Sequence, residues 1–257
     1  RSMTGHTEIS IEDYEDKMPL AKVETEAGDI GFYLPSRMAA FRVQTLFTKE
    51  PDTIAWINSF EKGATFIDVG ANVGMYTIWA AKRNSVRVLA FEPEAQNYAL
   101  LNRNIYLNSL EERVAAYCLA LGSLDGFSVL NITDTRIGGS FSMLANHAHD
   151  APKDKKTLFV QGCVSTRLDR FFASGDVRKD GPVYLKIDVD GIEHEVLAGA
   201  RDLIANARLR SVLVELDPGR AEHQKAFQGL LAAGLSPDKA SQLRWDSDLS
   251  ANSIFWR

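Results

Sequence analysis

The chain has 257 residues, of which 45% are hydrophobic and 25% are charged, and its formal net charge at pH 7 is -5. This length and composition are typical of one large α/β core, and the apolar runs are far shorter than the roughly 20 residues that a membrane-spanning helix requires. The basic residues are scattered among acids, which argues against a nucleic-acid partner.

The N-terminal part of the chain is predicted to be an attachment to the core. Residues 1–20 are acidic and aperiodic and are predicted to be a mobile arm that begins with a cloning remnant, Arg1-Ser2. A β-hairpin is predicted next, followed by a helix that begins near Pro51. These two elements form the attachment, residues 21–63, of a single domain that is predicted to span residues 21–257.

Alternating strand and helix patterns begin at Thr65 and predict a Rossmann-like α/β fold with a mostly parallel sheet. The predicted core strands are residues 65–69, 86–91, 114–119, 183–189 and 211–216, with a final pair near Leu235 and over 253–256. The predicted helices between them are residues 74–83, 94–107, 192–206 and 221–233. Residues 126–173 interrupt the alternation and are predicted to be an insertion over the strand ends.

The turn after the first predicted core strand has the pattern of a ligand site. Asp68 lies at the strand end, and Gly70 and Gly74 lie in the strand-to-helix turn, where a backbone without Cβ can approach a ligand closely. Asn72, between the glycines, tolerates the left-handed conformation that such turns often need. The helix that begins at Gly74 is expected to offer free amides to a carboxylate.

Glu92 ends the second predicted strand, eighteen residues after Gly74. A carboxylate in this position can accept hydrogen bonds from both hydroxyls of a ribose, so the joint pattern predicts a nucleoside ligand. NAD is the competing ligand, but its fingerprint has a third glycine, which Met75, Tyr76 and Thr77 replace here. Asp68 suits a ligand with an ammonium group, which S-adenosylmethionine has and NAD lacks.

Four segments of the sequence together resemble the FkbM-type methyltransferases, a class I family, between about Phe66 and Leu216. They are Phe66-Ile67-Asp68-Val69-Gly70-Ala71-Asn72-Val73-Gly74, Phe91-Glu92-Pro93, Leu168-Asp169, and Leu185-Lys186-Ile187-Asp188-Val189-Asp190-Gly191-Ile192-Glu193 with Leu197-Ala198-Gly199-Ala200. The chain departs from the family at Asp190, where Glu is common, and in residues 134–154, which match only at Gly138-Gly139-Ser140.

The resemblance implies a sheet of seven strands whose last strand is antiparallel, with S-adenosylmethionine across the strand ends of the first half. It also implies O-methylation of a hydroxyl group on a small molecule, such as a natural product, a sugar or a glycolipid precursor, with the insertion near the acceptor. The donor-binding residues that it implies are Asp68 near the methionine moiety, Glu92 at the ribose, Ala120 and Leu121 at the adenine, and the motif residues Gly70, Ala71, Asn72, Gly74 and Pro93.

Three carboxylates are predicted to be catalytic, because methyl transfer to an alcohol requires a base for the hydroxyl proton. Asp188 ends a core strand on the side of the glycine turn and is the first choice, with helix capping as the structural alternative. Glu193 lies in the first turn of the next helix, where it also suits the helix dipole. Glu215 lies in an apolar strand, where a buried carboxylate would be used in the site or paired with an arginine.

Two other functions stay open, a nicotinamide-dependent oxidoreductase and a donor-binding module without catalysis in a larger assembly. His147 and His149 could bind a metal or act as a base, but such pairs in polar loops are usually solvated, and no metal site is assigned. The oligomeric state is open, a homodimer included. The separated cysteines Cys118 and Cys163, and an N-terminus without a secretory leader pattern, predict a cytoplasmic location.

Overall fold

Helices and strands alternate along most of the chain, and the computed structural model describes residues 10–84, 86–140, 143–145, 156–174 and 180–257. The helices are α1 (Ile11–Asp16), α2 (Arg37–Gln44), α3 (Pro51–Asn58), α4 (Met75–Asn84), α5 (Ala95–Leu107), α6 (Leu168–Ser174), α7 (Glu193–Ala198), α8 (Arg201–Ala205), α9 (Ala221–Ala232) and α10 (Lys239–Asp246). The strands are β1 (Leu20–Val23), β2 (Ile30–Tyr33), β3 (Thr65–Val69), β4 (Arg87–Phe91), β5 (Val114–Tyr117), β6 (Ala120–Leu121), β7 (Gly126–Ile132), β8 (Met143–Ala145), β9 (Phe159–Thr166), β10 (Val183–Ile187), β11 (Leu209–Leu216), β12 (Ser236–Pro237) and β13 (Ala251–Trp256). Within these described ranges, none of the helices is long and apolar enough to cross a bilayer.

The central sheet has seven strands in the order β12-β13-β11-β10-β3-β4-β5. Neighbours from β11 to β5 are parallel, and β13 is antiparallel to both β11 and β12. The predicted Rossmann-like α/β fold with an antiparallel last strand is therefore confirmed. Parallel strands that are covered on both faces are usually apolar throughout. Asp68 and Lys186 are thus unusual, since they lie in β3 and β10, which are buried at every position.

The predicted insertion forms part of a separate sheet of four strands, in the order β6-β9-β7-β8. This sheet starts earlier in the sequence than predicted, because β6 pairs with β9 in parallel register. Gln161 of β9 connects the sheet to the residues that follow β4. Its amide donates to the carbonyl oxygen of Pro93 at 2.7 Å, and its carbonyl oxygen accepts from the amide of Ala95 at 3.1 Å. The second sheet therefore contacts the central sheet where β4 ends.

The N-terminal attachment contains the predicted hairpin, β1 and β2, the predicted helix α3, and helix α2, which the sequence pattern does not predict. Helix α1 lies within residues 1–20, so part of the predicted arm is helical, while residues 1–9 lie outside the described residues. Helix α2 begins after Ser36, whose hydroxyl oxygen accepts from the amide of Ala39 at 2.9 Å. This bond satisfies one of the amides that have no partner within the helix. The attachment is therefore more helical than expected.

The single helix predicted over residues 192–206 is instead two short helices, α7 and α8. The break lies at Gly199, where an added Cβ would lie 2.0 Å from the carbonyl oxygen of Gly122. The carbonyl oxygen of Gly199 accepts from the amide of Asp169 at 2.9 Å, and the Asp169 carboxylate accepts from two first-turn amides of α8 at 3.0 Å. Asp169 therefore caps α8 from a distant part of the chain and holds the break in place.

Candidate functional site

The central strands end at a common level, which brings the predicted site residues together. The parallel register pairs Val69, the last residue of β3, with Phe91 and Ile187, the last residues of β4 and β10. Glu92 and Asp188 follow directly after these strands. Since the carboxyl ends of parallel strands meet at one edge of a sheet, both carboxylates lie at the edge that carries the glycine turn.

The glycine turn after β3 has the backbone conformation expected from its sequence. Gly70, Asn72 and Gly74 have positive φ angles of 80°, 50° and 90°. An added Cβ at Gly70 would lie 2.0 Å from the carbonyl oxygen of Asp188, and one at Gly74 would lie 2.5 Å from Cδ1 of Leu101. Both glycines are therefore required by the contact of the turn with its own neighbours, and the expectation that they also make room for a ligand stays a prediction.

A cavity of about 320 Å³, which we name the polar cavity, lies at this edge of the sheet. Its wall consists of Arg42, Lys49, Gly70, Asn72, Glu92, Pro93, Glu94, Asn97, Gly139, Ser140, Asp188, Val189, Asp190 and Glu215. Five of these residues carry a carboxylate and two carry a cation. Such a wall is suited to a ligand with several hydroxyl groups, because a carboxylate accepts hydrogen bonds at about four positions.

A second cavity of about 290 Å³, which we name the mixed cavity, adjoins the first. The two share Arg42, Lys49, Gly70, Asn72, Ser140 and Asp188. The mixed cavity adds Glu50 and Lys186 and an apolar wall that includes Met38, Phe41, Val73, Met75 and Tyr76. One continuous space therefore runs from Glu92, past Asp188, to helices α2 and α4.

A smaller apolar cleft continues the polar cavity on the other side of Pro93, and Ala120 and Leu121 form part of its wall together with Phe91. Of the predicted donor-site residues, those that line one of the three spaces are Gly70, Ala71, Asn72, Glu92, Pro93, Ala120 and Leu121. Asp68 and Gly74 line none of them. A larger cavity of about 510 Å³ lies between α7, α8 and α9, and none of the predicted donor-site residues lines it.

Glu92 is buried, with 6% of its surface exposed, and is held by the backbone. Its Oε2 accepts from the amide of Asn72 at 2.8 Å, and its Oε1 accepts from the amide of Glu94 at 2.9 Å. Burial raises the pKa of Glu92 to about 7, although the two amides act in the opposite direction. Each carboxylate oxygen keeps one acceptor position free for a ligand in the polar cavity.

Asp68 is buried in β3, with 1% of its side chain exposed. Its Oδ2 accepts from the hydroxyl of Thr77 at 2.6 Å, and Nζ of Lys186 lies 3.7 Å from its Oδ1. Lys186 is equally buried, and its ammonium donates to Oδ2 of Asp188 at 2.9 Å. Asp68 lines neither cavity, whereas Asp188 of the same three-residue cluster lines both. The role of Asp68 at a ligand, directly or through water, stays a prediction.

The charges of this cluster depend on one another. Burial alone would lower the pKa of Lys186, but Asp188 and Asp68 together raise it, so the ammonium keeps its charge. Burial raises the pKa of Asp68 by more than Lys186 and Thr77 lower it. Burial is the largest single effect on Asp188 and acts to raise its pKa, but Lys186, Lys49 and Arg42 together outweigh it and hold the pKa below its ordinary value. Asp188 is therefore an anion at neutral pH and a weak base.

Asp188 and Glu215 both line the polar cavity but differ in their surroundings. Asp188 does not cap the following helix, since the N-cap residue of α7 is Ile192. Glu215 is exposed on β11, so the expectation of a buried carboxylate in this strand is wrong. The part of the Glu215 side chain that lies against the cavity wall is desolvated, and this effect and then the Asp188 carboxylate raise the pKa of Glu215. Glu215 is consequently the stronger base of the two.

Glu193 is buried away from the three spaces, with 2% of its surface exposed. Its Oε1 accepts from the amide of Gly191 at 3.2 Å, and its Oε2 lies 3.4 Å from Nε2 of His223. Nδ1 of His223 accepts from the amide of Asp217 at 3.0 Å, so the proton of a neutral imidazole is on Nε2, toward Glu193. The structure therefore places Glu193 in a pair that ties α7 to α9.

The glycines Gly138 and Gly139 attach the loop after β7 to the site. The amide of Gly138 donates to Oδ1 of Asn97 at 2.7 Å. The carbonyl oxygen of Gly139 accepts from the side-chain amides of Asn97 at 3.2 Å and Asn72 at 2.8 Å. Nε of Arg42 donates to the carbonyl oxygen of Gly138. Helices α2 and α5, the glycine turn and this loop are thus connected by side-chain hydrogen bonds.

The sequence pattern does not single out Arg42, Asn97 or Lys186. Lys186 carries a usable signal, because a lysine within an apolar strand is rarely buried without a partner. The histidines considered as metal ligands or as a base, His147 and His149, lie outside the described residues. Among the residues that are described, no group of three or more His, Cys, Asp or Glu side chains could hold a metal ion.

Several curated proteins are similar in sequence. Methyltransferase sdnD of Sordaria araneosa is 27% identical over 202 residues, which cover 68% of this chain and 74% of that protein. Methyltransferase 1 of Beauveria bassiana is 29% identical over 194 residues, which cover 69% of this chain and 74% of that protein. The AMB antimetabolite synthetase AmbE of Pseudomonas aeruginosa is 28% identical over 184 residues, which cover 61% of this chain and 8% of that protein.

Solved structures of methyltransferases are also similar. The precorrin-6y C5,15-methyltransferase of Geobacter metallireducens is 12% identical with a TM-score of 0.43, covering 83% of this chain and 92% of that chain. A geranyl diphosphate methyltransferase in complex with S-adenosylmethionine is 11% identical with a TM-score of 0.44, covering 85% of this chain and 88% of that chain. Because these sequence identities and TM-scores are low, the structural likeness does not assign a family, and the assignment depends on the match of the sequence to a family.

The family described as "Methyltransferase FkbM domain" matches residues 68–235 of the chain. This span is more than half of the sequence, and it contains the glycine turn and the strand-end carboxylates Glu92, Asp188 and Glu215. The chain therefore belongs to the FkbM-domain family of methyltransferases.

Proposed function

We propose that this methyltransferase transfers a methyl group from S-adenosylmethionine to a hydroxyl group of a small molecule. The observation that carries the proposal is the position of Glu92, whose carboxylate lines the polar cavity beside the glycine turn. Two acceptor positions of this carboxylate are occupied by backbone amides. The two that remain match the two hydroxyl groups of a ribose.

The neighbouring walls fit the other parts of this donor. The apolar cleft beside Ala120 and Leu121 offers surface to an adenine ring, and the mixed cavity offers both signs of charge to an amino-acid end. When bound, S-adenosylmethionine supplies an electrophilic methyl group on its sulfonium. The pyrophosphate of NAD would instead meet the carboxylates Glu92, Asp188 and Asp190 of the polar cavity. Like charges at such a distance repel, so these residues disfavour NAD.

The proton of the acceptor hydroxyl has to leave as the new C–O bond forms. We propose that Glu215 is the base that accepts this proton, because its carboxylate lines the polar cavity and has a raised pKa. Asp188 is less suitable, since its hydrogen bond from Lys186 stabilises the carboxylate form. Asp188 keeps a negative charge beside the glycine turn, where it can hold a cationic group of the donor.

The acceptor is proposed to be a small, hydroxyl-bearing molecule. The polar cavity of about 320 Å³ also has to hold the donor ribose, so an acceptor that reaches Glu215 is small, and the carboxylates of the wall suit its hydroxyl groups. One similar protein is by name an antimetabolite synthetase, which supports a small-molecule acceptor here. The cytoplasmic location stays a prediction. The observation that supports it is that Cys118 and Cys163 are both free thiols.

The donor is tested by thermal unfolding with S-adenosylhomocysteine or NAD. A ligand at about 100 times its Kd stabilises the folded state by about 2.7 kcal/mol, so S-adenosylhomocysteine is expected to raise Tm and NAD is not. A shift with NAD alone would favour the oxidoreductase. Radiolabelled S-adenosylmethionine with a panel of hydroxyl-bearing acceptors then tests turnover, and donor binding without turnover on any acceptor would favour the silent module.

Donor binding is expected to weaken below neutral pH. The ribose hydroxyls need the ionised form of Glu92, whose pKa in the free protein is about 7. Below this pH, part of the binding energy is used to remove a proton, and S-adenosylhomocysteine is expected to bind about tenfold more weakly at pH 6 than at pH 8. Isothermal titration calorimetry in buffers of different ionisation enthalpy measures both the Kd and the proton released.

The control for this pH dependence is Glu92→Gln, which cannot ionise. The variant is expected to bind more weakly at pH 8, and its Kd is expected to change little between pH 6 and pH 8. A wild-type Kd that is constant over this range, without proton release, would show that Glu92 is not the group on which the ribose depends.

A further inference from the structure

Two cations of the site come from a part of the chain that the family match does not include. Arg42 lies in α2 and Lys49 lies between α2 and α3, whereas the match begins at residue 68. Both side chains line the polar cavity and the mixed cavity. The N-terminal attachment therefore contributes charge to the site in addition to packing against the core.

Arg42 is held toward the site by a single described hydrogen bond. Its Nε donates to the carbonyl oxygen of Gly138, and the side chain is half-buried. A guanidinium has five N–H donors, so most of them stay available. Within the described ranges, Arg42 has no ion pair, whereas Lys49 pairs with Glu50 at 2.9 Å. Arg42 is thus the cation that can accept an incoming anionic group with two parallel hydrogen bonds.

Negative groups lie in the same cavity at fixed positions. Asp188 is anchored by Lys186, and Glu50 accepts from the hydroxyl of Tyr76 at 2.9 Å and from the side-chain amide of Asn252 at 3.1 Å. A wall with both an available guanidinium and anchored carboxylates is complementary to a zwitterion, in which an ammonium and a carboxylate are one carbon atom apart. A simple anion or a simple cation would satisfy one half of this wall and be repelled by the other.

We infer that the mixed cavity binds the amino-acid end of the methyl donor, with Arg42, supported by Lys49, on its carboxylate and Asp188 with Glu50 on its ammonium. The inference rests on the proposed function and goes beyond it, because it makes the N-terminal attachment part of the donor site. It also assigns the ammonium to Asp188 in place of Asp68, which is enclosed by Thr77 and Lys186.

The test compares two ligands that differ only in this end of the molecule. S-adenosylhomocysteine has the amino-acid end, and 5′-methylthioadenosine lacks it. The wild-type protein is expected to prefer S-adenosylhomocysteine. Arg42→Met is expected to reduce this preference by about ten- to a hundredfold, because a hydrogen bond to a charged group is lost. Its affinity for 5′-methylthioadenosine is expected to stay close to the wild-type value, which also shows that the variant is folded.

Two further variants complete the comparison by calorimetry. Arg42→Lys keeps the cation and is expected to keep part of the preference. Arg37→Met removes an exposed cation from the same helix that lines neither cavity, and it is expected to behave as the wild type. An unchanged preference in Arg42→Met would overturn the inference while leaving the proposed function intact. A wild-type protein that binds neither ligand would overturn both.

Discussion

Replacing Glu215 by Gln is expected to lower kcat by about 10²- to 10⁴-fold, the usual contribution of a general base. The variant keeps the shape of the side chain on β11 and removes its ability to accept a proton. Binding of S-adenosylhomocysteine is expected to change little, since the proposed donor contacts are made by Glu92, Asp188 and Arg42. Initial rates with an acceptor that the wild type methylates, together with the Kd of S-adenosylhomocysteine, separate the two effects.

The pH profile of kcat gives a second readout for Glu215. Only the ionised carboxylate can take the proton, and its pKa is raised above the ordinary value of glutamate. Activity is therefore expected to rise with pH through this raised pKa, and the rise is expected to be absent in Glu215→Gln. Glu112→Gln, an exposed glutamate outside the three spaces, is the matched control. A kcat of Glu215→Gln within a few-fold of the wild type would exclude Glu215 as the base.

Replacing Lys186 by Met is expected to destabilise the protein by about 3–5 kcal/mol, because it removes one member of a buried charge cluster and leaves the others without compensation. Lys186 lies 3.7 Å from Oδ1 of Asp68 and 2.9 Å from Oδ2 of Asp188, and it is 1% exposed. Met occupies a similar volume, so little of the loss would come from packing. Chemical denaturation at several pH values measures the free energy of unfolding directly.

The loss of stability in Lys186→Met is expected to be larger at pH 8 than at pH 5. In the folded protein, the pKa of Asp68 lies above its unfolded value, so the folded state binds the proton more tightly. The free energy of unfolding therefore falls as pH rises from the unfolded pKa of Asp68 to its folded pKa. Removing the lysine raises the folded pKa of Asp68 further. Adding Asp68→Asn to the variant is expected to restore part of the stability at pH 8.

The surface variant Lys225→Met controls for the loss of a positive charge alone. Lys225 is exposed on α9, and its replacement is expected to change the free energy of unfolding by less than about 0.5 kcal/mol. If Lys186→Met were as stable as Lys225→Met at pH 8, the buried cluster would not hold the charges described for it.

The central sheet and the glycine turn were predictable from the sequence because both depend on local patterns. Strand β3 was predicted with the same limits that the structure has, since its apolar run is bounded by turn residues. The positive φ angle of Asn72 also follows from residue type and position. Glu92 could be placed at the cavity because a residue directly after a parallel strand can lie only at that edge of the sheet.

The charges that decide the chemistry of the site were less predictable, because they depend on contacts between distant segments. The pairing of Asp68 with Lys186 follows from the register of β3 and β10, which are more than a hundred residues apart in the sequence. Arg42 reaches the site through a bond to Gly138, and no local pattern indicates such a contact. Glu215 was expected to be buried because β11 is apolar, but its position near the strand end leaves it exposed.

The absence of a side chain at Gly70 has a consequence for altering the acceptor range of this enzyme. The backbone of the glycine turn lies so close to the carbonyl group of Asp188 that a methyl group would not fit between them. A redesign that moves the segment after β10 to admit a bulkier acceptor would also displace the glycine turn, and with it the proposed donor site.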